Sequence, residues 1–91
     1  MAEKLFNPWE VLLYPHLAEK SMNMVERENK LVFIVKRKAT KKEIKEAVEK
    51  GFNVRVINVR TEITRKGLKK AYIKLHPNYQ AMDIASKLGI V

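Results

Sequence analysis

The side chains with the clearest capacity for chemistry are the Lys and Arg residues in the third quarter of the chain. Residues 53–79 carry seven basic side chains and one acidic side chain, whereas residues 1–52 carry 11 and 8. Closely spaced cations bind successive phosphates of a polyanion, and the ring of Tyr72 among them can stack on an unpaired base. A lysine-rich strand edge that prevents aggregation is the alternative, but it needs only a charge or two. We therefore favour a phosphate-binding patch made of Arg55, Arg60, Arg65, Lys66, Lys69, Lys70, Tyr72 and Lys74.

A second basic cluster surrounds Thr40, between a predicted strand and a predicted helix. Lysines in the first turn of a helix face the positive end of the helix dipole, which is unfavourable unless an anion neutralises them. The free amides at the same helix end also bind anions. A phosphate site and a merely solvated run of lysines both remain open here. The cluster consists of Lys36, Arg37, Lys38, Thr40, Lys41 and Lys42.

Residues suited to catalysis are scarce. His16 and His76 lack HxxxH and HxxE spacing, so each is interpreted as a turn or surface residue rather than as a metal ligand or general base. Nine of the ten acidic residues are glutamates, mostly set among lysines as on solvated helix surfaces. The glycine motifs of nucleotide-binding loops are absent, and without cysteine there is no thiol nucleophile or disulfide. We expect no enzymatic activity, no cofactor and no metal site.

Length and composition indicate one soluble globular domain covering residues 1–91. The chain is 46% hydrophobic and carries a formal net charge of +9, which suits a packed core and an anionic partner. Its longest apolar run, residues 31–35, fits a buried strand and is far shorter than the roughly 20 residues that span a membrane. The opening ten residues contain no apolar signal core, so a cytoplasmic location is expected.

Hydrophobic periodicity predicts the elements that would position these side chains. Residues 9–14 are predicted to form a short strand that ends at Pro15, and residues 17–28 carry apolar side chains at loosely helical spacing. Residues 30–36 enclose five consecutive apolar side chains. Such an unbroken run predicts a central strand that is buried on both faces of a sheet.

A helix is predicted to follow this central strand. Thr40 and Glu43 form a capping box, in which the hydroxyl accepts from the Glu43 amide and the carboxylate reaches back to the Thr40 amide. The helix is therefore expected to begin at Lys41. Gly51 is expected to end it in the left-handed conformation, which glycine adopts at low cost.

The last third of the chain predicts a hairpin. In residues 54–64 the alternation of apolar side chains changes phase, which a β-bulge near Ile57 or Asn58 would correct. A turn at residues 65–67 leads into a strand at residues 68–76, in which alternate side chains face inward.

A final helix completes the predicted fold. It is expected to end at Gly89, with Ile90 packed back on its last turn. Its apolar stripe consists of Ala81, Ile84, Ala85 and Leu88. The element order β-α-β-α-β-β-α predicts the α+β class, with a four-stranded antiparallel sheet and helices packed on its faces.

The sequence resembles a known family over nearly its whole length: the large-subunit ribosomal proteins numbered twenty-three, in their short archaeal form. The segments that carry the resemblance are PHLAEKSMN at residues 15–23, KLVFIVKRKATKKEIKEAVEKGFNV at residues 30–54, and KKAYIKL at residues 69–75, followed nine residues later by Ile84. The sequence departs from the usual family residues at Ala18, Arg60 and His76.

This resemblance implies a protein that binds large-subunit rRNA near the mouth of the polypeptide exit tunnel, ribosome-bound in the cytoplasm. It also implies a neighbour, the ribosomal protein numbered twenty-nine, and an outer surface on which the signal recognition particle or a nascent-chain chaperone docks. The family's docking glutamate falls on Glu19. Bacterial members extend a long loop between the last two strands into the tunnel, and residues 65–67 are too short for that role.

The mechanism that follows is electrostatic anchoring, in which basic side chains displace counterions from folded rRNA and RNA shape selects the site. One alternative is another basic α+β RNA-binding protein, and a second is a protein-interaction module with an acidic partner. A third is a small acyl-phosphate hydrolase of similar fold, in which Arg37 would cradle the phosphate. The KKAYIKL segment favours the ribosomal protein.

Overall fold

A computed structural model describes residues 8–89 of the chain. A 3₁₀ turn at Pro8–Glu10 precedes the regular elements. The strands are β1 (Leu12–Pro15), β2 (Lys30–Val35), β3 (Val56–Ile63) and β4 (Lys69–Leu75). The helices are α1 (Glu19–Glu28), α2 (Lys41–Phe52) and α3 (Ala81–Lys87). The order confirms the predicted sequence of elements.

The strands form one four-stranded sheet in the order β1-β2-β4-β3, and every neighbouring pair is antiparallel. The two central strands, β2 and β4, are therefore each paired with a neighbour on both edges. The predicted α+β class with a four-stranded antiparallel sheet is confirmed. No helix among residues 8–89 is long and apolar enough to cross a membrane.

One face of the sheet, the core face, packs against the buried stripes of the helices. Ile44, Ala47 and Val48 of α2 join this core, as do Ala81, Ile84 and Ala85 of α3. The sheet contributes Leu31, Phe33, Val35, Val56, Val59, Ala71, Ile73 and Leu75. The helical periodicity predicted for α2 and α3 is confirmed by this burial.

The opposite face carries most of the basic side chains of the strands, and we call it the cationic face. Cross-strand register places on it Lys30, Val32, Ile34, Asn58, Arg60, Glu62, Lys70, Tyr72 and Lys74. Val32 and Ile34 are nevertheless buried there, at 4% and 2% exposure. The prediction that β2 is buried on both faces is confirmed.

The beginning of the chain corrects two predicted boundaries. The first strand starts at Leu12 rather than at Trp9, because residues 8–10 form the 3₁₀ turn. That turn places the Trp9 ring against Phe33 and Phe52, with ring centroids 6.3 and 6.1 Å apart. The first helix starts at Glu19 rather than at residue 17, and Leu17 is 63% exposed.

The predicted start of α2 is confirmed, but its predicted end is wrong. Thr40 Oγ1 accepts from the Glu43 amide at 3.1 Å, and Glu43 Oε1 accepts from the Thr40 amide at 3.0 Å. The helix continues through Gly51 to Phe52, and Asn53 takes the left-handed conformation at φ 55°. Gly51 serves close packing instead, since a Cβ built there would lie 2.8 Å from two ring carbons of Pro8.

Gly51→Ala is expected to lower the free energy of unfolding by about 1–2 kcal/mol, because the proline ring must move. At an open helix site the same change would stabilise by about 1 kcal/mol. Denaturant unfolding measures the difference, and the emission of Trp9 reports displacement of the 3₁₀ turn. Glu46→Ala, an exposed change on the same helix, is the control. Stabilisation by Gly51→Ala without an emission change would contradict the packing role.

The predicted bulge and hairpin are both present. The register of β3 against β4 shifts between Val56 and Asn58, so that Val56 and Val59 are both buried although they are three positions apart. Gly67 has φ 80° in the turn between the strands. Its amide donates to the Thr64 carbonyl at 2.9 Å, and the Thr64 amide donates to Leu68 at 2.8 Å.

Asn29 joins the end of α1 to the start of α3. It adopts φ 55°, and its side-chain oxygen accepts from the Ala81 amide at 2.6 Å. Its side-chain amide donates to the Tyr79 carbonyl at 2.8 Å. Gly89 ends the last helix with φ 75°, as predicted. The predicted packing of Ile90 lies outside the described residues.

Candidate nucleic-acid interface

The cationic face presents paired basic side chains because of strand register. Lys30 is directly opposite Lys74 across β2 and β4. Arg60 is opposite Tyr72, and Glu62 is opposite Lys70, across β3 and β4. Lys70, Tyr72 and Lys74, which the sequence predicts to share an outward face, therefore do so together with Arg60.

A hydrogen-bonded group occupies the middle of this face. The Tyr72 hydroxyl donates to Glu62 Oε1 at 2.6 Å, and Lys70 Nζ lies 3.9 Å from the same oxygen. Lys70 Nζ also lies over the Tyr72 ring, 5.6 Å from its centroid. Burial, followed by the bond to Glu62, raises the pKa of Tyr72 to about 12. The hydroxyl is therefore a neutral donor, and Glu62 partly offsets the charge of Lys70.

The two basic clusters found in the sequence meet at one end of the sheet. Residues 36–38 follow β2, whose last residue pairs with Lys69 just after the hairpin turn. A Cβ built on Gly67 would lie 3.6 Å from Nη1 of Arg37, so this guanidinium reaches the turn. We call this region the cationic end. It consists of the exposed side chains Lys36, Arg37, Lys38, Arg65 and Lys66.

The start of α2 borders the cationic end but is already occupied in part by the chain itself. The Glu43 carboxylate lies at the amino-terminal end of the helix, where hydrogen bonds from Thr40 lower its pKa. Thr40 Oγ1 is engaged with the Glu43 amide. Lys41 and Lys42 are exposed beside this capping box. A phosphate at this point would have to approach past Glu43, and the predicted role of Thr40 stays a prediction.

The structure separates Lys69 from the other predicted RNA-binding lysines of β4. Lys69 lies on the side of the sheet opposite Lys70, and its Nζ donates to the Ala39 carbonyl oxygen at 2.6 Å. This bond links the hairpin to the segment that precedes α2. Lys69 thus has a structural role in the cationic end, because it joins the two chain segments that form it.

The histidines have structural partners. His16 Nδ1 lies 2.7 Å from the hydroxyl of the buried Ser21, and His76 Nδ1 accepts from the Asn78 amide at 3.1 Å. Within residues 8–89 there is no group of three or more His, Cys, Asp or Glu residues that could hold a metal ion. Glu19, the predicted factor-docking residue, is exposed at the start of α1.

The lowered pKa of His16 predicts that the free energy of unfolding depends on pH. Burial, followed by the charge of Lys70, lowers the pKa of His16 below 6.5. The folded state therefore favours the neutral ring, and the resulting stability is complete above pH 6.5 and is lost as pH falls through the lowered pKa. We expect the free energy of unfolding to fall between pH 7.5 and pH 5.5, measured by denaturant titration.

The second histidine provides the control for this prediction. His16→Gln is expected to reduce the fall in stability on acidification, whereas His76→Gln is expected to retain it. An identical pH profile for the chain and for His16→Gln would refute the assignment to His16.

Lys30 belongs to the cationic face, although the sequence analysis did not include it among the binding residues. It pairs with Glu28 at 3.2 Å and borders a hollow on this face with Arg60 and Tyr72. The local signal was only its position directly before the apolar run of β2. Only the register of β2 against β4 places it beside Lys74.

Comparison with known proteins identifies the family. The model of the family described as Ribosomal protein L23 matches residues 10–83. The chain is 52% identical over 82 residues to large ribosomal subunit protein uL23 of Methanococcus vannielii, covering 90% of this chain and 95% of that protein. It is 48% identical over 84 residues to the protein of the same name from Methanothermobacter thermautotrophicus, covering 92% and 98%.

These similarities cover the strands and helices that carry both basic clusters. They agree with the resemblance seen in the sequence and with the expectation that the chain is not an enzyme, since the relatives are ribosomal proteins. The acyl-phosphate hydrolase alternative is therefore dropped. The chain belongs to the ribosomal protein L23 family.

Proposed function

We propose that this chain is a structural constituent of the large ribosomal subunit that binds large-subunit rRNA near the polypeptide exit tunnel. The observation that carries this proposal is the meeting of the strand-to-helix junction and the hairpin turn in the cationic end. Guanidinium and ammonium groups from two chain segments are held there at one place by the sheet. Such a surface can neutralise several neighbouring phosphates at once.

The cationic face extends the proposed RNA surface beyond the cationic end. Arg60, Lys70 and Lys74 supply further cations, and Tyr72 supplies an aromatic ring. Lys41 and Lys42 extend the surface along the start of α2. Contacts to phosphates and to RNA shape would fix the position of the protein, as is usual for folded RNA.

The proposal also includes protein partners and a location. The relatives are large-subunit proteins by name, which supports a ribosome-bound location in the cytoplasm. The ribosomal protein numbered twenty-nine is proposed as a neighbour. Glu19 is proposed as a docking residue for the signal recognition particle or a nascent-chain chaperone, and its exposed position leaves it available.

The salt dependence of binding to large-subunit rRNA fragments tests the central proposal. If about six to ten phosphates are engaged, the logarithm of affinity should fall with the logarithm of salt concentration by roughly 0.7–0.9 per phosphate. Fluorescence anisotropy of a labelled fragment, measured from dilute to physiological salt, gives this slope. A flat response, or failure to cosediment with large subunits lacking their own copy, would overturn the proposal.

A further inference from the structure

A hollow on the cationic face has a composition that phosphate binding alone does not explain. Its volume is about 240 Å³, and it lies between Met24 of α1 and the strands. Lys30, Arg60, Glu62 and Tyr72 form much of its lining. A carboxylate is unfavourable on a surface that binds only phosphates, because it repels them. The presence of Glu62 in the hollow therefore indicates a ligand group other than phosphate.

The Glu62 carboxylate is held in position by two neighbouring side chains and can still accept further hydrogen bonds. The Tyr72 hydroxyl donates to Oε1 at 2.6 Å, and the Lys70 ammonium lies 3.9 Å from the same oxygen. The side chain of Glu62 is still 53% exposed. An ionised carboxylate accepts up to about four hydrogen bonds, so acceptor positions remain that face the hollow or solvent.

We propose that this hollow binds one unpaired guanine of an RNA strand. The guanine N1–H and its exocyclic amino group would donate to Glu62, and the ring would pack against Tyr72 and Met24. Lys30 and Arg60 would neutralise the adjoining phosphates. This inference rests on the proposed rRNA binding and adds a base-specific contact to it.

Guanine is favoured by the chemistry of its Watson–Crick edge. A carboxylate only accepts hydrogen bonds, and guanine is the one standard base with two adjacent N–H donors on that edge. Adenine and cytosine each place a ring acceptor beside one amino group, and uracil places its single donor between two carbonyls. Each of these bases would bring an acceptor against the Glu62 carboxylate.

The size and the polarity of the hollow suit a single base. Pockets for drug-sized ligands occupy roughly 300–1,000 Å³, so about 240 Å³ fits one ring system and leaves the sugar and phosphate outside. Aromatic stacking, hydrogen bonding on the base edge and nearby cations are the usual elements of unpaired-base recognition by proteins. The hollow provides all three.

The test uses the full chain and two single-stranded RNA hexamers that differ only in a central guanine or adenine. The chain is expected to bind the guanine hexamer at least about fivefold more tightly, the lower end for a good contact to a base edge. Glu62→Gln should abolish that preference. The same variant should bind the adenine hexamer more tightly, because a negative charge is removed. Glu46→Gln on α2 is the matched control and should keep the preference.

Tyr72→Phe provides a second variant that keeps the ring and removes the hydroxyl that positions Glu62. It should reduce the guanine preference while leaving the salt slope unchanged. If Glu62→Gln raises affinity for both hexamers equally, or if the chain shows no preference, the guanine site is refuted while rRNA binding stands. If neither hexamer nor any rRNA fragment binds, both the site and the proposed function fail.

Discussion

Replacing Arg37, Arg65 and Lys66 together by glutamine is expected to weaken binding to a large-subunit rRNA fragment by roughly 100-fold at 0.1 M salt. Each phosphate contact contributes about 0.7–0.9 to the log-log salt slope, so three lost contacts remove about two decades of affinity at this salt concentration. The slope itself should decrease by about two to three. Fluorescence anisotropy across a salt series measures both quantities.

The matched control replaces Lys20, Lys45 and Lys87 by glutamine, which lowers the net charge equally. These lysines are exposed on α1, α2 and α3, and none of them belongs to the residues that define the cationic end. The control should lose far less affinity and should keep the slope. Equal losses in the two triple variants would mean that net charge, rather than the cationic end, governs binding.

Asn29→Ala is expected to lower the free energy of unfolding by about 3–4 kcal/mol. The change leaves the Ala81 amide and the Tyr79 carbonyl without their side-chain partner, and each unsatisfied group costs about 1 kcal/mol, the lower end of the range, because both bonds are only part-buried. It also places alanine at φ 55°, a left-handed conformation that costs about 1–2 kcal/mol. Chemical denaturation followed by circular dichroism measures the loss.

Asn53 separates the contribution of the side-chain hydrogen bonds from that of the left-handed backbone conformation. It has the same φ of 55° at the end of α2, and its side chain is exposed. Asn53→Ala should therefore cost only the backbone term, about 1–2 kcal/mol. Asn29→Gly should recover the backbone term and still lose the hydrogen bonds. If Asn29→Ala and Asn53→Ala cost the same, the side chain of Asn29 does not hold α3 in place.

The separation of Lys69 from Lys70 changes how variants of the hairpin must be interpreted. Substitution of Lys69 removes a bond to the Ala39 carbonyl and can displace the junction, whereas substitution of Lys70 acts on the cationic face. A variant that replaces both lysines would confuse a loss of structure with a loss of contact. Neighbouring residues of a strand point to opposite faces, so adjacency in sequence is no guide to shared function.

The sequence by itself determined most of the secondary structure. The capping box at Thr40, the phase change near Asn58 and the apolar run of β2 are local signals, and local hydrogen bonding and side-chain alternation fix their outcome. The density of basic residues in the hairpin likewise indicated an anionic partner. The elements therefore appeared in the predicted order, and the family resemblance agreed with them.

Where sequence reasoning failed, a distant contact decided the structure. Gly51 lies inside a helix that Asn53 ends, and it packs against the ring of Pro8, more than forty positions away. The segment around Trp9 forms a 3₁₀ turn where its ring meets Phe33 and Phe52. Propensity is weaker than such tertiary contacts, so a short segment takes the conformation that its packing partners favour.

The sequence alone determined the sign and the approximate place of the charge, because ionisable side chains are read directly from it. Only the tertiary structure decided how that charge is arranged. The pairing of β2 with β4 brings Arg37 to the hairpin turn, places Lys30 beside Lys74 and turns Lys69 away. Cross-strand register depends on the burial of every strand at once, and no local segment specifies it.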